Sequence, residues 1–350
     1  MCFLTLWKRL KSKKGAKIAS KTKSGPSGAK NRTGSSTGGK KLPTHRPNSK
    51  HCKDENKLDR KGFSNIINQP SERNSKFELK TNQELAAYST DSLKLVPSNY
   101  QHIGSRDRQE DSFAFSDLND RKVVEKKGVL AVIADGMGGL ARGDRASQVA
   151  VRIFLREYNN KNDHNSIEHF MRRALTIANY AVFDLALDEK GQEVDLGTTL
   201  VAVLVEQGKM HWVSVGDSLV YLLRDGALRQ LNKEHIYANQ LADEVENGLI
   251  SKKEAIEHPE RSFLTSYLGT PELIEVDYSL EPLALKAGDV VLLCTDGLNN
   301  TLSAGEITAG LEHPDAGTAE ELVKAAIAKG KPHQDNITVL VLSCQAVDSQ

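Results

Sequence analysis

Cysteine is scarce in this chain, and it is unpaired. The 350 residues contain four cysteines, Cys2, Cys52, Cys294 and Cys344, with no paired spacing and no CxxC. That excludes a disulfide framework of the kind that staples small secreted domains, and it leaves no Cys/His cluster to hold zinc. A reducing, cytoplasmic setting is the expectation. Long apolar runs are missing as well. The apolar tip from Met1 to Trp7 is far shorter than the ~20 residues a helix needs to cross a bilayer, and no small-residue cleavage site follows an apolar stretch of signal-peptide length. Acidic residues are absent from residues 1–53, which carry 15 Lys/Arg. Aromatics there are limited to Phe3 and Trp7, so base stacking on nucleic acid is not indicated.

The near-neutral total charge of +1 hides two oppositely charged parts. Residues 1–80 hold 21 Lys/Arg against 5 Asp/Glu, a net of +16, and residues 81–350 hold 26 against 41, a net of −15. From Lys11 to Gly62 only seven residues are apolar, too few to offset the entropy of ordering the chain. The runs SGPSG (24–28) and GSSTGG (34–39) read as flexible linker. Residues 1–85 are therefore expected to be a disordered basic tail. A short apolar tip followed by Lys8, Arg9, Lys11, Lys13 and Lys14 suits peripheral contact with an anionic membrane surface, and the charge alone also suits nucleic acid. A purely solvated tail is the plainer reading. About 250 residues remain, enough for a domain with a core of its own.

From about residue 95 the pattern becomes a mixture of strands and helices. Strand-length apolar runs recur at VLAVIA (129–134), TLVAVLV (199–205), MHWVSV (210–215), LVYLL (219–223), VVLLC (290–294) and ITVLVL (337–342). Short turn signals at 206–209, 216–218 and 224–227 predict consecutive antiparallel hairpins. Helices are predicted over 144–158, capped by Asp144, and over 166–187, from Ser166. Capping-box pairs are expected at Ser251/Glu254, Ser303/Glu306 and Thr318/Glu321. Helices gathered between groups of antiparallel strands predict an α+β fold: two packed antiparallel sheets flanked by helices, an α-β-β-α sandwich.

The informative feature is where the aspartates stand. VLAVIA runs into Asp135 and then Gly136-Met137-Gly138-Gly139; VVLLC runs into Thr295, Asp296 and Gly297; Asp335-Asn336 opens ITVLVL. Each arrangement puts a carboxylate at a sheet rim, with backbone open to a ligand. Converging carboxylates either share protons or bind hard cations, and oxygen ligands select magnesium, manganese or calcium. Singly, each Asp-Gly is also an ordinary turn, and Gly216-Asp217-Ser218 reads equally well as a hairpin turn. The glycines of 136–139 lack both the GxxxxGK[ST] and the GxGxxG spacings.

In order, the elements are Arg106-Asp107-Arg108-Gln109-Glu110-Asp111, Asp135-Gly136-Met137-Gly138-Gly139, Gly197-Thr198-Thr199-Leu200, Gly216-Asp217-Ser218, Thr295-Asp296-Gly297-Leu298 and Asp335-Asn336-Ile337-Thr338. This succession resembles the metal-dependent protein phosphatases of type 2C, in their bacterial form with Met in the DGMGG element. The resemblance covers roughly 95–345 and leaves the tail outside. It implies the same sandwich, with two Mn²⁺ or Mg²⁺ ions at one end. By motif match Asp135 would bridge both ions, with the Gly136 carbonyl on one of them, and Asp296 and Asp335 would hold the other. Glu110 and Asp111 would orient metal-bound waters, and Arg106 would bind the phosphate. The implied reaction is direct attack of metal-activated water on a phosphoserine or phosphothreonine monoester, with no phosphoenzyme, in a monomer that opposes a protein kinase. Asp195 matches a third, weaker metal position shared with Asp296, a solvated loop acid being the competing reading. Residues 232–268 match a flap beside the substrate groove, with His235 either near the site or on the surface. Three positions depart from the pattern. Met137 stands where relatives with DGHGG place a histidine, Leu219 replaces an arginine, and Gln109 replaces an asparagine. The rival reading is a non-catalytic module of the same fold that binds phosphate or phosphoprotein.

Overall fold

A computed structural model of the chain describes residues 88–89, 93–138, 143–162, 166–185 and 196–347. The basic tail 1–85, Gly139 and Asp195 lie outside the described residues. The described strands form two antiparallel sheets. One runs in the order β1 (Tyr88–Ser89), β2 (Leu93–His102), β13 (Ile337–Ala346), β12 (Val290–Cys294), β8 (Leu219–Arg224), β9 (Ala227–Gln230). The other runs β10 (Asp277–Tyr278), β7 (Lys209–Val215), β6 (Leu200–Glu206), β4 (Val129–Met137), β3 (Asp111–Phe115). β11 (Leu283–Ala284) also pairs with β7, and β5 (Gly197–Thr198) with β4.

The two-residue alternation of the central strands decides which way each side chain is buried. In β13 Leu340, Leu342 and Cys344 join the core between the sheets, packed with Leu95, Phe113, Ile133, Val203 and Val291. The intervening Ile337, Val339 and Val341 face the other way, against Leu298, Ile307, Leu311, Leu322 and Val323. Those partners lie on α6 (Asp296–Asn299), α7 (Ala304–Leu311) and α8 (Thr318–Ala328). On the second sheet, α2 (Gly143–Asn159) packs against β3 and β4 and against α3 (Ile167–Leu185). Central strands are thus apolar on both faces, each fully buried aliphatic contributing about 1.5–3 kcal/mol. This is the expected sandwich, with helices on both outer faces. Cys294 and Cys344 are free thiols buried in these cores.

Several expected details differ. The connection 216–218 is not a hairpin: β7 and β8 belong to different sheets, so Gly216-Asp217-Ser218 carries the chain across the sandwich. VLAVIA does not stop at Asp135, because β4 continues to Met137 by pairing Gly136 and Met137 with Thr198 and Gly197 of β5. Helix α2 begins at Gly143, so Asp144 sits in its first turn and is not its cap. The Ser251/Glu254 and Ser303/Glu306 capping boxes are present, and Ser166 Oγ accepts from His169 N at 3.1 Å. The Thr318/Glu321 box does not form. Gly317 is the cap there, and the Thr318 hydroxyl is engaged with Asp315, accepting from its N at 2.7 Å. The short helix α5 (Lys252–Ile256) follows the Ser251 cap, whereas β2, β3 and the helices α1 (Arg121–Lys127) and α4 (Tyr237–Glu246) form without a clear sequence signal.

Candidate functional site

The acids gather at one end of the sandwich because strand register puts them there. Asp111, the first residue of β3, is the cross-strand partner of Asp135 in β4. The backbone of Asp135 is fully engaged: its N donates to Thr199 Oγ1 at 3.0 Å, and its O accepts from Thr199 N at 2.9 Å and Thr198 Oγ1 at 2.8 Å. The side chain alone is left for other work. From the opposite sheet, β12 ends at Cys294, so that Thr295 and Asp296 follow at the rim, and Asp335 stands two residues before β13. Thr295 N donates to Thr338 O at 3.1 Å, which locks these two strand ends side by side.

Asp111 joins the two sheets. Its Oδ2 accepts from Thr295 Oγ1 at 3.0 Å and from Thr338 Oγ1 at 2.6 Å, while Gln101 Nε2 donates to both Thr338 Oγ1 and the Asp111 carbonyl at 3.1 Å. Its Oδ1, like Asp296 Oδ1 and Asp144 Oδ1, is buried with no hydrogen-bond partner. Asp296 Oδ2 accepts from Asn300 Nδ2 at 3.1 Å. Glu110, on the approach to β3, uses its carbonyl to accept from Gly136 N (3.1 Å) and Ser147 Oγ (2.6 Å), tying the first motif to the second and to α2. Gly136 has no room for a side chain: a Cβ would stand 2.1 Å from Gly143 O and 2.5 Å from Glu110 O.

The charges of these groups resist ionisation. Burial first, then the neighbouring acids, pushes Asp111 up to about 7 and Asp296 up to about 6. Asp135 rises well above the carboxylate range through burial and the charges of Asp111, Asp296, Asp217 and Asp335. Asp217, on the crossover between the sheets, is pushed up to about 8 by burial and by the charge of Asp296. Glu110 is raised by burial, partly offset by Arg106. Unpartnered buried carboxylate oxygens and mutually raised pKa values are what an all-oxygen site for hard cations displays without its charge balance. The residues therefore fit a divalent cation of the Mg²⁺/Mn²⁺ class. Among the described residues no three acids, histidines or cysteines close around one point, so the acids form an open rim and not a finished cage.

Arg106, expected at the phosphate, is half-exposed on the loop between β2 and β3, with its Nη2 2.5 Å from Asp335 Oδ2. It thus stands at the same rim and is paired with neither Asp107 nor Glu110. His235 is not a surface residue: it lies beside the crossover that carries Asp217. It is buried; its N donates to Gly216 O at 2.9 Å, and its Nδ1 accepts from Gly216 N at 3.0 Å. It braces the crossover that presents Asp217. The segment that follows is also tied back near the site, through the pairing of Thr198 with Leu268. Leu219 is core, opposite Cys294 in the β8–β12 ladder. Gln109 Oε1 accepts from Asp111 N at 3.1 Å. The site residue that the sequence reading undervalued is Asp217. An acid between two apolar runs was the available signal, the same one that marks Asp135 and Asp296.

Comparison with known proteins agrees with this geometry. The protein phosphatase 2C family profile matches residues 99–320. The serine/threonine phosphatase stp of Listeria monocytogenes is 34% identical over 218 residues, 61% of this chain and 83% of its own length. The serine/threonine protein phosphatase PstP of Mycobacterium tuberculosis is 36% identical over 213 residues, 61% of this chain and 40% of its own. A crystal structure of the M. tuberculosis phosphatase PstP/Ppp superposes with a TM-score of 0.59 at 31% identity, covering 72% of this chain and 99% of that one. A catalytic-domain structure of PstP with two manganese ions matches at a TM-score of 0.58 and 30% identity, over 73% of this chain and 99% of that one. The chain belongs to the protein phosphatase 2C family.

Proposed function

We propose that this chain is a metal-dependent protein serine/threonine phosphatase that hydrolyses phosphoserine and phosphothreonine monoesters. The observation that carries the reading is the gathering of Asp111, Asp135, Asp296 and Asp335, from both sheets, at one rim with Arg106. Asp135, the Gly136 carbonyl, Asp296 and Asp335 would hold two Mn²⁺ or Mg²⁺ ions, and Asp195 would be the candidate for a third. Bound cations of this kind make water nucleophilic near neutral pH and offset the charge of the transferring phosphoryl group. Glu110 and Asp111 orient water at the rim, Asp111 being held rigid by the Thr295 and Thr338 hydroxyls. Arg106 presents a planar fork of donors to the phosphoryl oxygens. No side chain needs to carry the phosphoryl group.

The catalytic domain spans 95–345, and the basic tail 1–85 contributes none of these residues. Its substrates are phosphoproteins made by an opposing kinase, and it works as a cytoplasmic monomer. Among the described residues no helix is long and apolar enough to cross a membrane. The basic tail suits a weak electrostatic contact with an anionic membrane surface or with nucleic acid. Co-sedimentation of the full chain with phosphatidylserine vesicles at low salt, lost at high salt, is the expected result; equal sedimentation with neutral vesicles would remove that role.

The central test is hydrolysis of p-nitrophenyl phosphate and of a phosphothreonine peptide with Mn²⁺, with EDTA, and by Asp135→Asn with Mn²⁺. Turnover that needs Mn²⁺ and is lost in the variant is expected. Folded protein that binds phosphate with Mn²⁺ yet turns over neither substrate would favour the non-catalytic module, with Met137 the first position to restore.

A further inference from the structure

The loop that carries Arg106 leaves the first sheet at His102 and enters the second at Asp111. Its start is pressed against the segment preceding β13. Gly104 has φ +66°, and a Cβ there would stand 2.2 Å from Asp335 O and 2.5 Å from Gln334 O. Ser105 N donates to Gln334 O at 2.8 Å. Within the loop Gly104 N donates to His102 Nδ1 at 2.9 Å and Arg106 N to Ile103 O at 3.4 Å, and one side chain ties the loop's two ends together. Asn336, only 4% exposed, donates from Nδ2 to Ile103 O at 2.8 Å and to Arg108 O at 3.0 Å, and its Oδ1 accepts from Glu110 N at 2.7 Å. Both amide donors and an acceptor are thereby used on the loop, at points before and after Arg106.

The anchor is as rigid as the strand behind it. Ile337, the next residue, is the register partner of His102 in the β13–β2 ladder, so Asn336 is fixed to the strand from which the loop emerges. Gln334 adds a second tie, donating from Nε2 to Gly297 O at 3.0 Å and accepting from Thr301 Oγ1 at 2.8 Å. Arg106 itself has a side chain that is 54% exposed, so its direction depends on where its backbone is held.

We infer that Asn336 is a positioning residue for Arg106, clamping loop 103–110 so that the guanidinium is directed to the phosphoryl oxygens at the acidic rim. The clamp rests on the phosphatase reading above, and it predicts a specific pattern of losses. Removing the amide frees two backbone carbonyls and one N–H at the loop's ends, while Asp296 keeps its bond from Asn300 and Asp335, though it shares Arg106, keeps its bond from the Asn336 backbone N at 2.8 Å. Phosphate recognition is lost and cation affinity is kept.

The test is a double-mutant cycle in the full chain with Asn336→Ala, Arg106→Ala and both together. The readouts are kcat and KM for p-nitrophenyl phosphate with Mn²⁺, the Kd of inorganic phosphate for the Mn²⁺-loaded chain, and the Kd of Mn²⁺ by calorimetry. In Asn336→Ala, KM and the phosphate Kd are expected to rise about tenfold, with Mn²⁺ affinity within about twofold of the parent. In the Arg106→Ala background the same change adds less than about twofold, because the residue it positions is already gone. If the alanine variant does not fold, Asn336→Ser replaces it in the cycle, with a rise of about threefold expected, since a hydroxyl can retain one of the three bonds. Additive effects in the double variant would overturn the clamp, as would a fall in Mn²⁺ affinity in step with phosphate affinity. Wild-type turnover alongside either result would leave the phosphatase reading standing. No Mn²⁺-dependent turnover and no phosphate binding by the unsubstituted chain would overturn both.

Discussion

The carboxylate of Asp111 shows how a single residue can join two sheets and tune a site. It sits on β3, yet both hydroxyls that hold its Oδ2 come from the other sheet, Thr338 at 2.6 Å and Thr295 at 3.0 Å. Hydrogen bonds to the ionised form favour it, against a burial that disfavours it. Thr338→Val keeps the shape and removes the shorter bond. It is expected to destabilise the fold by about 1–3 kcal/mol and to raise the Asp111 pKa further. Mn²⁺ affinity should then weaken, and the acid limb of the kcat profile should move to higher pH. Thermal unfolding and a pH–rate series with Mn²⁺ check this; an unmoved acid limb would remove Asp111 from the water-orienting role. The acids themselves were legible in the sequence because each follows or opens an apolar run. Their partners were not, since Thr295 and Thr338 lie 184 and 227 residues from Asp111 and meet it only through the register of the folded sheets. His235 was illegible for the same reason. Its burial is fixed by Gly216, and nothing nearby in sequence tells a braced histidine from a surface one.

At the scale of elements, local chemistry was readable and long-range pairing was not. The capping boxes at Ser251 and Ser303 depend on groups three residues apart, and both form. The one at Thr318 fails because Asp315, three residues earlier, competes for the hydroxyl. The turn 216–218 was expected to close a hairpin, since a three-residue link between apolar runs usually does. Instead it changes sheets, and that change brings Asp217 to the rim with Asp296. No composition signal distinguishes the two outcomes; only the pairing of β8 with β12 decides it. Ser303→Ala tests the local part. Loss of the bonds to Glu306 N and Glu306 Oε2 should cost about 1 kcal/mol and lower Tm by a few degrees. Because α7 packs on the outer face of the first sheet, kcat/KM with Mn²⁺ should remain at the parent value. A loss of activity without a loss of Tm would mean that this helix reaches the site.

For the whole molecule, the acidic rim makes stability and cation binding two sides of one proton balance. Asp111 titrates near about 7, Asp217 near about 8 and Asp135 higher than the carboxylate range, because burial and mutual charge oppose ionisation. Unfolded aspartates titrate near about 4. The folded state therefore holds more protons than the unfolded state across that interval. The stability these groups contribute is fully present below the unfolded value and is lost as pH rises through the folded values. His211 and His235, both lowered by burial, push the other way, but only below the ordinary histidine range near about 6.5. Between about pH 6.5 and 8.5 the acids act unopposed by histidine, so in EDTA the full chain should lose thermal stability steadily over that window. A divalent cation replaces the protons, so Mn²⁺ should raise Tm more at the alkaline end than at the neutral end and should release protons as it binds. Scanning calorimetry in EDTA and in Mn²⁺ at the two pH values, with titration calorimetry in two buffers of different ionisation enthalpy, measures both effects. An EDTA curve that is flat or rising, or binding without proton release, would mean that the acids are already ionised and balanced by groups other than a cation. Asp135→Asn should flatten the EDTA curve by removing an acid that burial and its acidic neighbours raise, which ties the effect to the rim and not to the surface charge of the domain.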